Sequence, residues 1–272
     1  MTRRVFLALL AVYFGLPLLA ALLYSVATRW TDTALPDGYT LSHWVSVFTK
    51  PDVMAALGRS LVLSAVVVAI DVLLVVPAAY WSVVHNPRIG SVVQTIAVIP
   101  FAVPWVVVGA GIQLVTKSVA PALFGTFWLL AASTAAIAFP FMYRAVESSL
   151  LAAGAVQLSE AAATCGANPA QALVRVIFPV IRNGVVSGSL LVIATAMNEF
   201  ALAKILVGVS YETLPLWSAR QFVSRTLGDP NALAVVTIFT FGLLFALSAL
   251  VVWLGRGRVS ASMAAITKDA SS

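Results

Sequence analysis

Charged and amide side chains interrupt two of the long apolar stretches in this sequence. Asp71 lies in the middle of VVVAIDVLLVV, and AMNEFALAKILV contains Asn198, Glu199 and Lys204. A charge at the centre of a membrane helix costs about 2.5–3.5 kcal/mol on insertion scales, so such groups normally face a cavity or a partner. Two interpretations stay open. The residues line a path for a polar or charged solute, with Glu199 attracting a cation or holding a gate, or they clamp the chain to a partner subunit. For Asp71 the clamp is favoured.

Three other kinds of chemistry find no support in the residue pattern. His43 and His85 are far apart in sequence and Cys165 is the single cysteine, so neither a metal site nor catalysis by a thiol is expected. No G-x-x-x-x-G-K-[ST] motif occurs, so the chain has no P-loop for ATP. We therefore expect neither a metal nor a cofactor in this chain, and any work driven by ATP would be done in another subunit.

The composition indicates an integral membrane protein. Hydrophobic residues make up 61% of the 272 residues and charged residues 10%, whereas a soluble protein carries about 25% charged residues. The net charge of +6 is then a matter of topology and not of nucleic-acid binding. The N-terminal apolar run is longer than a signal-peptide core of about 7–15 residues, so we expect it to be retained as the first span.

Six stretches are long and apolar enough to cross a membrane, which takes about 20 residues. They cover residues 5–27, 60–84, 92–115, 122–145, 185–208 and 232–254. An even number places both termini on one side, and the basic residues at the termini and around 144–182 assign that side to the cytoplasm. We predict an all-α polytopic membrane protein with one transmembrane domain over residues 1–258 and a disordered tail over residues 259–272.

Two outer connections are long. Residues 28–59 have the spacing of an amphipathic helix on the membrane surface, and residues 209–231 form a loop that carries Trp and Arg side chains. Both segments are either interfacial anchors or a landing surface for an external partner. In the second case the candidate contacts are Trp44, Trp217 and Arg220.

Proline and glycine predict local geometry within two spans. Pro100 and Pro104 break the hydrogen-bond ladder of the third span, which predicts a bend facing the pathway. Gly184 and Gly188 form a G-x-x-x-G pattern at the start of the fifth span, which permits close approach of a neighbouring helix.

The segment between the fourth and fifth spans, residues 146–184, is unlike the rest of the chain. Ser159 is suited to cap a helix that begins at Glu160, and the alanines that follow favour helix. Gly166 is expected to end this helix, because glycine tolerates the left-handed conformation of a helix stop. The pattern predicts a short helix followed by a tight corner.

A second helix is predicted after the corner. Asn168 is suited to cap it, and Pro169 would occupy the first position, where a missing N–H costs nothing. Pro179 is expected to kink or end it. The predicted product is a short helix, a corner and a longer helix at the inner surface, arranged as a docking surface.

This segment resembles the EAA loop of the permease subunits of type I ABC importers. The family pattern is Glu-Ala-Ala, two residues, Asp-Gly, nine residues, Ile, one residue, Leu-Pro. The chain has the complete spacing, with EAA at 160–162, Cys165-Gly166, and Val176 and Phe178-Pro179. Cys165 replaces the aspartate, so a charge beside the corner is lost, whereas Gly166 keeps the corner.

The resemblance extends over nearly the whole chain. IPFAVPWVVVGAG, and MNEFALAKILVG followed by TLPLW, are similar to the branch of permeases for polyamines, ferric iron, thiamine and phosphonates. The resemblance implies a six-helix permease fold with a cytoplasmic coupling helix. The residues that it implies for docking an ATPase are Glu160, Ala161, Ala162, Gly166, Asn168 and Pro179.

The resemblance also implies partners and a location. The chain would pair with a second permease subunit, which we expect to be a sister chain, and with a dimer of ATPase subunits that binds ATP and Mg. An external solute-binding protein would deliver the solute, and no nucleic acid is expected. The expected location is the inner (plasma) membrane of a bacterial-type cell, with both termini in the cytoplasm.

The function that follows is half of the pathway of an ATP-driven importer, without enzymatic activity of its own. The expected solute is small and polar or charged, such as a polyamine. A sugar-importing permease of the same family is an alternative. A stand-alone secondary transporter normally shows inverted repeats, and a membrane-embedded enzyme would need a cluster of His, Asp or Glu; the sequence shows neither.

Overall fold

The chain is built from α-helices. The structure, a computed structural model, describes residues 2–30, 33, 35–223 and 229–269. Its helices are α1 (Thr2–Val26), α2 (Ser42–Thr49), α3 (Pro51–Val84), α4 (Pro87–Ala102), α5 (Trp105–Val119), α6 (Phe127–Ala152), α7 (Ala155–Thr164), α8 (Pro169–Gln171), α9 (Phe178–Met197), α10 (Ala201–Leu206), α11 (Leu214–Val223) and α12 (Pro230–Asp269). Shorter elements are the 3-10 turns Pro121–Leu123 and Gly208–Tyr211 and the π-helical stretch Ala172–Ile177. The predicted all-α fold is confirmed.

Within the described residues, five helical segments are long and apolar enough to cross a membrane. They are Val5–Val26, Pro51–Val84, Phe127–Ala152, Pro169–Met197 and Pro230–Leu250. The bent pair formed by α4 and α5 makes six when it is counted as one span. These segments follow the order of the six predicted stretches. The second begins earlier than predicted, at Pro51, and α11 occupies part of the outer segment that was expected to be a loop.

The third span is broken, as its prolines predicted. Helices α4 and α5 meet at an angle of 102°. Val103 is extended (ψ 128°), because a residue that precedes proline is pushed out of the helical region. Pro104 has no N–H to offer the carbonyl of Pro100, and the indole of Trp105 donates to that carbonyl instead, at 3.1 Å. The break therefore lies at Pro104, while Pro100 stays within α4.

The chain forms two compact units. The first comprises Met1–Gly58 and Thr213–Ala246, and the second comprises Arg59–Glu212 and Leu247–Ser272. In the first unit, the amide of Asn231 donates to the carbonyl of Ala27 at 2.6 Å, and both lie about one hydrogen-bond length from Nε2 of His43, at 3.1 and 3.0 Å. These contacts tie the start of α12 to α2 and to the end of α1.

In the second unit, α6 and α9 pack closely along a seam of small residues. A Cβ added at Gly184 would meet the side chain of Ser149 and would lie 3.0 Å from the carbonyl oxygen of Ala145. A Cβ at Gly188 would lie 2.8 Å from the sulfur of Met142. At both positions an added methyl would force neighbouring atoms to shift, and the close approach predicted from G-x-x-x-G is confirmed.

The fifth span differs from the prediction of one continuous helix over residues 185–208. Helix α9 ends at Met197 and α10 begins at Ala201. Polar side chains account for the break. The Asn198 side-chain amide donates to the carbonyl of Ala194 at 2.9 Å, and a carboxylate oxygen of Glu199 accepts the N–H of Leu202 at 2.5 Å. Glu199 thus supplies α10 with a bond that the α9 backbone would otherwise have made.

The C-terminal segment, residues 259–272, was predicted to be a disordered tail, and that disorder stays a prediction. Helix α12 continues to Asp269, and residues 270–272 lie outside the described part of the chain. The stretch VSASMAAITKD contains neither proline nor glycine and is rich in alanine, which favours continuation of the helix.

Candidate functional site

The candidate site is the elbow, defined here as residues 154–179 between α6 and the body of α9. Its first helix, α7, begins at Ala155 and not at Glu160. Gly154 precedes it in the left-handed conformation (φ +63°), which turns the chain between α6 and α7. Ser159 is therefore an interior residue of α7, and its predicted role as a helix cap is wrong.

The corner of the elbow has the predicted construction. Helix α7 ends at Thr164, and Gly166 adopts φ +84°. The N–H of Ala167 donates to the carbonyl of Ala162 at 3.1 Å, and that of Gly166 donates to Ala163 at 2.9 Å. This is the bonding pattern of a helix stop at a left-handed glycine, so the prediction that Gly166 ends this helix is confirmed.

The second arm begins as predicted. The Asn168 side chain accepts the N–H of Gln171 at 2.9 Å, and the Gln171 side chain accepts the N–H of Asn168 at 3.0 Å. The pair forms a capping box, with Pro169 in the first helical position.

The expectation that Pro179 kinks or ends this arm is not met. The arm runs on as one helical segment, Pro169–Met197. The π-helical stretch Ala172–Ile177 lies just before the proline. A π-turn contains an extra residue per turn, which lets the helix pass a proline that lacks an N–H.

The elbow presents an acidic side chain beside a concave surface. Glu160 and Ala161 are exposed and Ala162 is half-buried. A cavity of about 220 Å³ opens next to them, between the elbow and the end of α3. Its lining residues are Val84, His85, Ser159, Glu160, Ala163, Ala167, Pro169 and Ala172. Within the described residues Glu160 makes no salt bridge, so its carboxylate is available to a partner.

A hydrogen bond that the sequence did not reveal fixes α7 to α3. The hydroxyls of Ser159 and Tyr80 lie 2.5 Å apart, and Tyr80 is 2% exposed. The two residues are distant in sequence, and the only available signal was a tyrosine inside an apolar stretch. Ser159 also lines the cavity, so whatever fills the cavity bears directly on this bond.

The pathway candidates are placed very differently from one another. Asp71 and Glu199 are each 1% exposed. Within the part of the chain that the structure describes, one carboxylate oxygen of Asp71 has no hydrogen-bond partner. Asn198 and Lys204 are exposed. Among the described residues no salt bridge joins these groups to one another. The carboxylate of Glu199 is engaged by the backbone of α10, which does not favour its attracting a cation.

The two broken spans pack together beyond their breaks. A Cβ added at Gly109 of α5 would lie 3.1 Å from the side chain of Ile205 and 3.2 Å from that of Leu202, both in α10. The amide of Gln113 donates to the carbonyl of Ile205 at 3.3 Å. The half-helix that follows Pro104 is thus paired with the half-helix that follows Glu199.

The candidate contacts for an external partner lie in the first unit, and one of them does not fit that role. Trp217 is fully buried, and its indole N–H donates to Asp52 at 2.8 Å. It therefore holds α11 against the start of α3 and offers no surface to a partner. Arg220 is exposed and lies 3.6 Å from the Asp52 carboxylate, and Trp44 is half-buried and donates to Ser25 at 3.3 Å.

Comparison with known proteins gives consistent matches. A family model described as "Binding-protein-dependent transport system inner membrane component" matches residues 72–259. A putative 2-aminoethylphosphonate transport system permease protein, PhnV, of Salmonella choleraesuis (strain SC-B67) is 26% identical over 253 residues, which cover 91% of this chain and 93% of that protein. The molybdenum transport system permease protein ModB of Mycobacterium tuberculosis (strain ATCC 25618 / H37Rv) is 30% identical over 228 residues, 76% of this chain and 80% of that protein.

A solved structure shares the fold. It is a chain of a bacterial ABC transporter involved in the import of the acidic polysaccharide alginate, with a TM-score of 0.71 and 17% sequence identity, and the match covers 92% of this chain and 94% of that one.

Proposed function

Because the chain belongs to the family of binding-protein-dependent transport system inner membrane components, we propose that it forms half of a solute pathway whose opening is driven by a separate ATPase bound at the elbow. The chain is a permease subunit of the type I ABC importer class, a multi-pass membrane protein that serves transport. The orientation of the termini toward the cytoplasm, the partners and the solute are parts of the proposal.

The geometry of the elbow supports the docking. Two short helical arms meet at a corner fixed by Gly166 and Asn168, so the elbow is a defined shape and not a flexible loop. Glu160 lies exposed on the wall of the neighbouring cavity. We propose that the ATPase subunit inserts a side chain into this cavity and pairs a basic group with Glu160. The small side chains of Ala161 and Ala162 permit close approach.

Reversal of the charge at Glu160 tests this proposal. We expect Glu160→Lys to remain inserted in the membrane and to lose most of the ATPase subunit on co-purification, and Glu160→Gln to lose less. Asp37→Lys makes the same change of charge at an exposed residue outside the elbow and is the matched control. Full retention of the ATPase by Glu160→Lys would refute the docking. If no ATPase co-purifies with the unaltered chain, a stand-alone secondary transporter becomes the better description.

A second permease subunit completes the pathway in this proposal. ATPase subunits of this transporter class act as a dimer, and one chain offers one elbow, so two permease chains are needed. We propose a sister chain as the second. Mass measurement of the intact complex distinguishes one chain type from two.

For the solute, we propose a small charged compound with a phosphonate or similar acidic group. A matched permease that covers 91% of this chain is named for 2-aminoethylphosphonate transport. The prediction of a polyamine depended on attraction by Glu199. The carboxylate of Glu199 is buried and bonded to the N–H of Leu202, which does not favour that attraction. The test is ligand-induced thermal stabilisation of the solute-binding protein that purifies with the complex, with 2-aminoethylphosphonate, molybdate, spermidine and maltose as probes. Stabilisation by spermidine alone would refute the acidic solute.

A further inference from the structure

A chain of side-chain hydrogen bonds, buried from Ser159 as far as Glu147, connects the elbow to the first half of the broken third span. It begins at Ser159 of α7, which is bonded to Tyr80 of α3. Two residues further along α3, the hydroxyl of Ser82 lies 3.1 Å from that of Tyr143 in α6. Hydroxyl pairs therefore join α7 to α3 and α3 to α6, and the helical backbone of α3 connects Tyr80 to Ser82.

The second part of the chain leads from α6 to α4. The Tyr143 hydroxyl donates to a carboxylate oxygen of Glu147 at 3.2 Å, and the side-chain amide of Gln94 donates to the same oxygen at 2.7 Å. Helix α4 lies close to this group, since a Cβ at Gly90 would be 3.7 Å from Ser82 and 3.9 Å from the Tyr143 hydroxyl. All of these residues belong to the second compact unit.

Burial makes these bonds a mechanical connection. Ser82 is 1% exposed, Tyr143 0% and Glu147 9%. A buried polar group that is left without any partner pays the full cost of its desolvation. The pair Ser159–Tyr80 and the group Tyr143–Glu147–Gln94 therefore each tend to move together, while the Ser82 hydroxyl, which meets Tyr143, also bonds the carbonyl of Ala79 at 2.9 Å. At the far end, α4 and α5 are separate helices, because the third span is interrupted at Pro104. A displacement that reaches α4 can therefore change the angle of the broken span.

We propose that this chain of hydrogen bonds, from Ser159 and Tyr80 through Ser82, Tyr143 and Glu147 to Gln94, transmits a displacement of α7 to α4. The inference rests on the proposed docking of an ATPase at the elbow. Ser159 is the input, because it lines the cavity and holds the Tyr80 bond. Gln94 is the output, because it is the contact of α4 with the buried carboxylate. These are positioning residues, and none of them is expected to touch the solute.

The test is hydrogen–deuterium exchange on the complete complex, purified with its ATPase subunits in lipid nanodiscs. Exchange is compared without nucleotide and with ATP plus vanadate, in peptides from α7 and from α4. The variants are Tyr80→Phe, Gln94→Met and the double variant. Gln94 is exposed apart from its bond to Glu147, so Gln94→Met tests the chain even where Tyr80→Phe does not fold. Tyr13→Phe, at an exposed tyrosine of α1, is the matched control.

In the unaltered complex we expect nucleotide to change exchange in both α7 and α4. Each single variant should keep the nucleotide-dependent change of exchange in α7. It should reduce the corresponding change in α4 by about 2- to 10-fold, which is the factor that the free energy of one net hydrogen bond represents. The double variant should reduce it no further than the stronger single variant, because both changes interrupt one path. The control should respond as the unaltered complex does.

Two outcomes overturn the inference in different ways. If α7 responds to nucleotide and both variants keep a full response in α4, the connection is wrong and the docking stands. If α7 of the unaltered complex does not respond to nucleotide, the docking at the elbow is wrong and the inference falls with it.

Discussion

The seam between α6 and α9 offers the sharpest test of the packing that carries the elbow. In Gly184→Ala the added methyl would meet both side-chain atoms of Ser149 and would lie 3.0 Å from the carbonyl oxygen of Ala145. Forcing an extra carbon into a close-packed interface costs about 1–3 kcal/mol, whereas replacing glycine by alanine inside a helix contributes about 1 kcal/mol in favour of folding. The balance is a net loss of up to about 2 kcal/mol, because the Cβ of Ser149 is bonded directly to the α6 backbone and cannot rotate away.

A partner substitution isolates the cause. Ser149→Gly removes the two atoms that lie nearest to the new methyl, while the carbonyl oxygen of Ala145 stays at 3.0 Å. We therefore expect Gly184→Ala to be tolerated much better in the Ser149→Gly background, with a coupling free energy of about 1–2 kcal/mol, within the range of residues in contact. Gly15→Ala on α1 is the control, since nothing lies within 4 Å of its added Cβ.

The assay is reversible unfolding of the purified chain in lipid bicelles, measured by steric trapping, for the two single variants, the double variant and Gly15→Ala. The reasoning is refuted if Gly184→Ala destabilises no more than Gly15→Ala, or if the effects of Gly184→Ala and Ser149→Gly are additive. Either result would mean that α6 and α9 are further apart than the structure places them.

Three further substitutions test single contacts. Gly166→Ala should raise the free energy of the folded corner by about 1–2 kcal/mol, because an L-residue is strained in the left-handed conformation, and Gly166→Asn should raise it less. Faster amide hydrogen exchange in α7 measures both effects. Equal exchange in the two variants would contradict the argument. Trp105→Phe leaves the carbonyl of Pro100 without its donor and should lower the free energy of unfolding by about 1–3 kcal/mol, which denaturant titration measures. Trp217→Phe should lower the free energy of unfolding by about 1 kcal/mol, because the hydrogen bond to Asp52 is lost. Binding of the solute-binding protein, measured by interferometry, should stay the same. A loss of binding without a loss of stability would restore Trp217 as a partner contact.

Local signals in the sequence predicted the parts of the elbow that local chemistry determines. Gly166, Asn168 and Pro169 act on backbone groups within a few residues of themselves, so their roles could be derived without knowing the fold. The start of α7 was misplaced because two residues compete for it. Ser159 has the chemistry of a cap, but its hydroxyl is used by Tyr80, and Gly154 turns the chain instead.

The contacts that sequence reasoning missed are those between residues far apart in the chain. The partner of Ser159 is 79 residues away, and Gln94 and Glu147 are 53 apart. Hydrophobic periodicity and helix-capping rules do not predict such pairs, because these rules describe one helix at a time. The break after Met197 has another cause, because the Glu199 carboxylate bonds Leu202 only three residues away. One carboxylate can act as a charged group or as a helix cap, and only the surroundings decide which.

Two different kinds of contact hold the elbow, and the difference bears on how it can move. The α6–α9 seam is made of glycine, serine and methionine in close contact, and close-packed interfaces deform little before they separate. The link from α7 to α3 is a pair of buried hydroxyls, Ser159 and Tyr80, and separating them would cost about 1–3 kcal/mol. A push at the cavity beside Glu160 is therefore passed to α3 through this pair and leaves the seam intact. In consequence α6 and α9 should move as one body, and α3 and α4 should follow through their contacts with Tyr143 and Glu147 of α6.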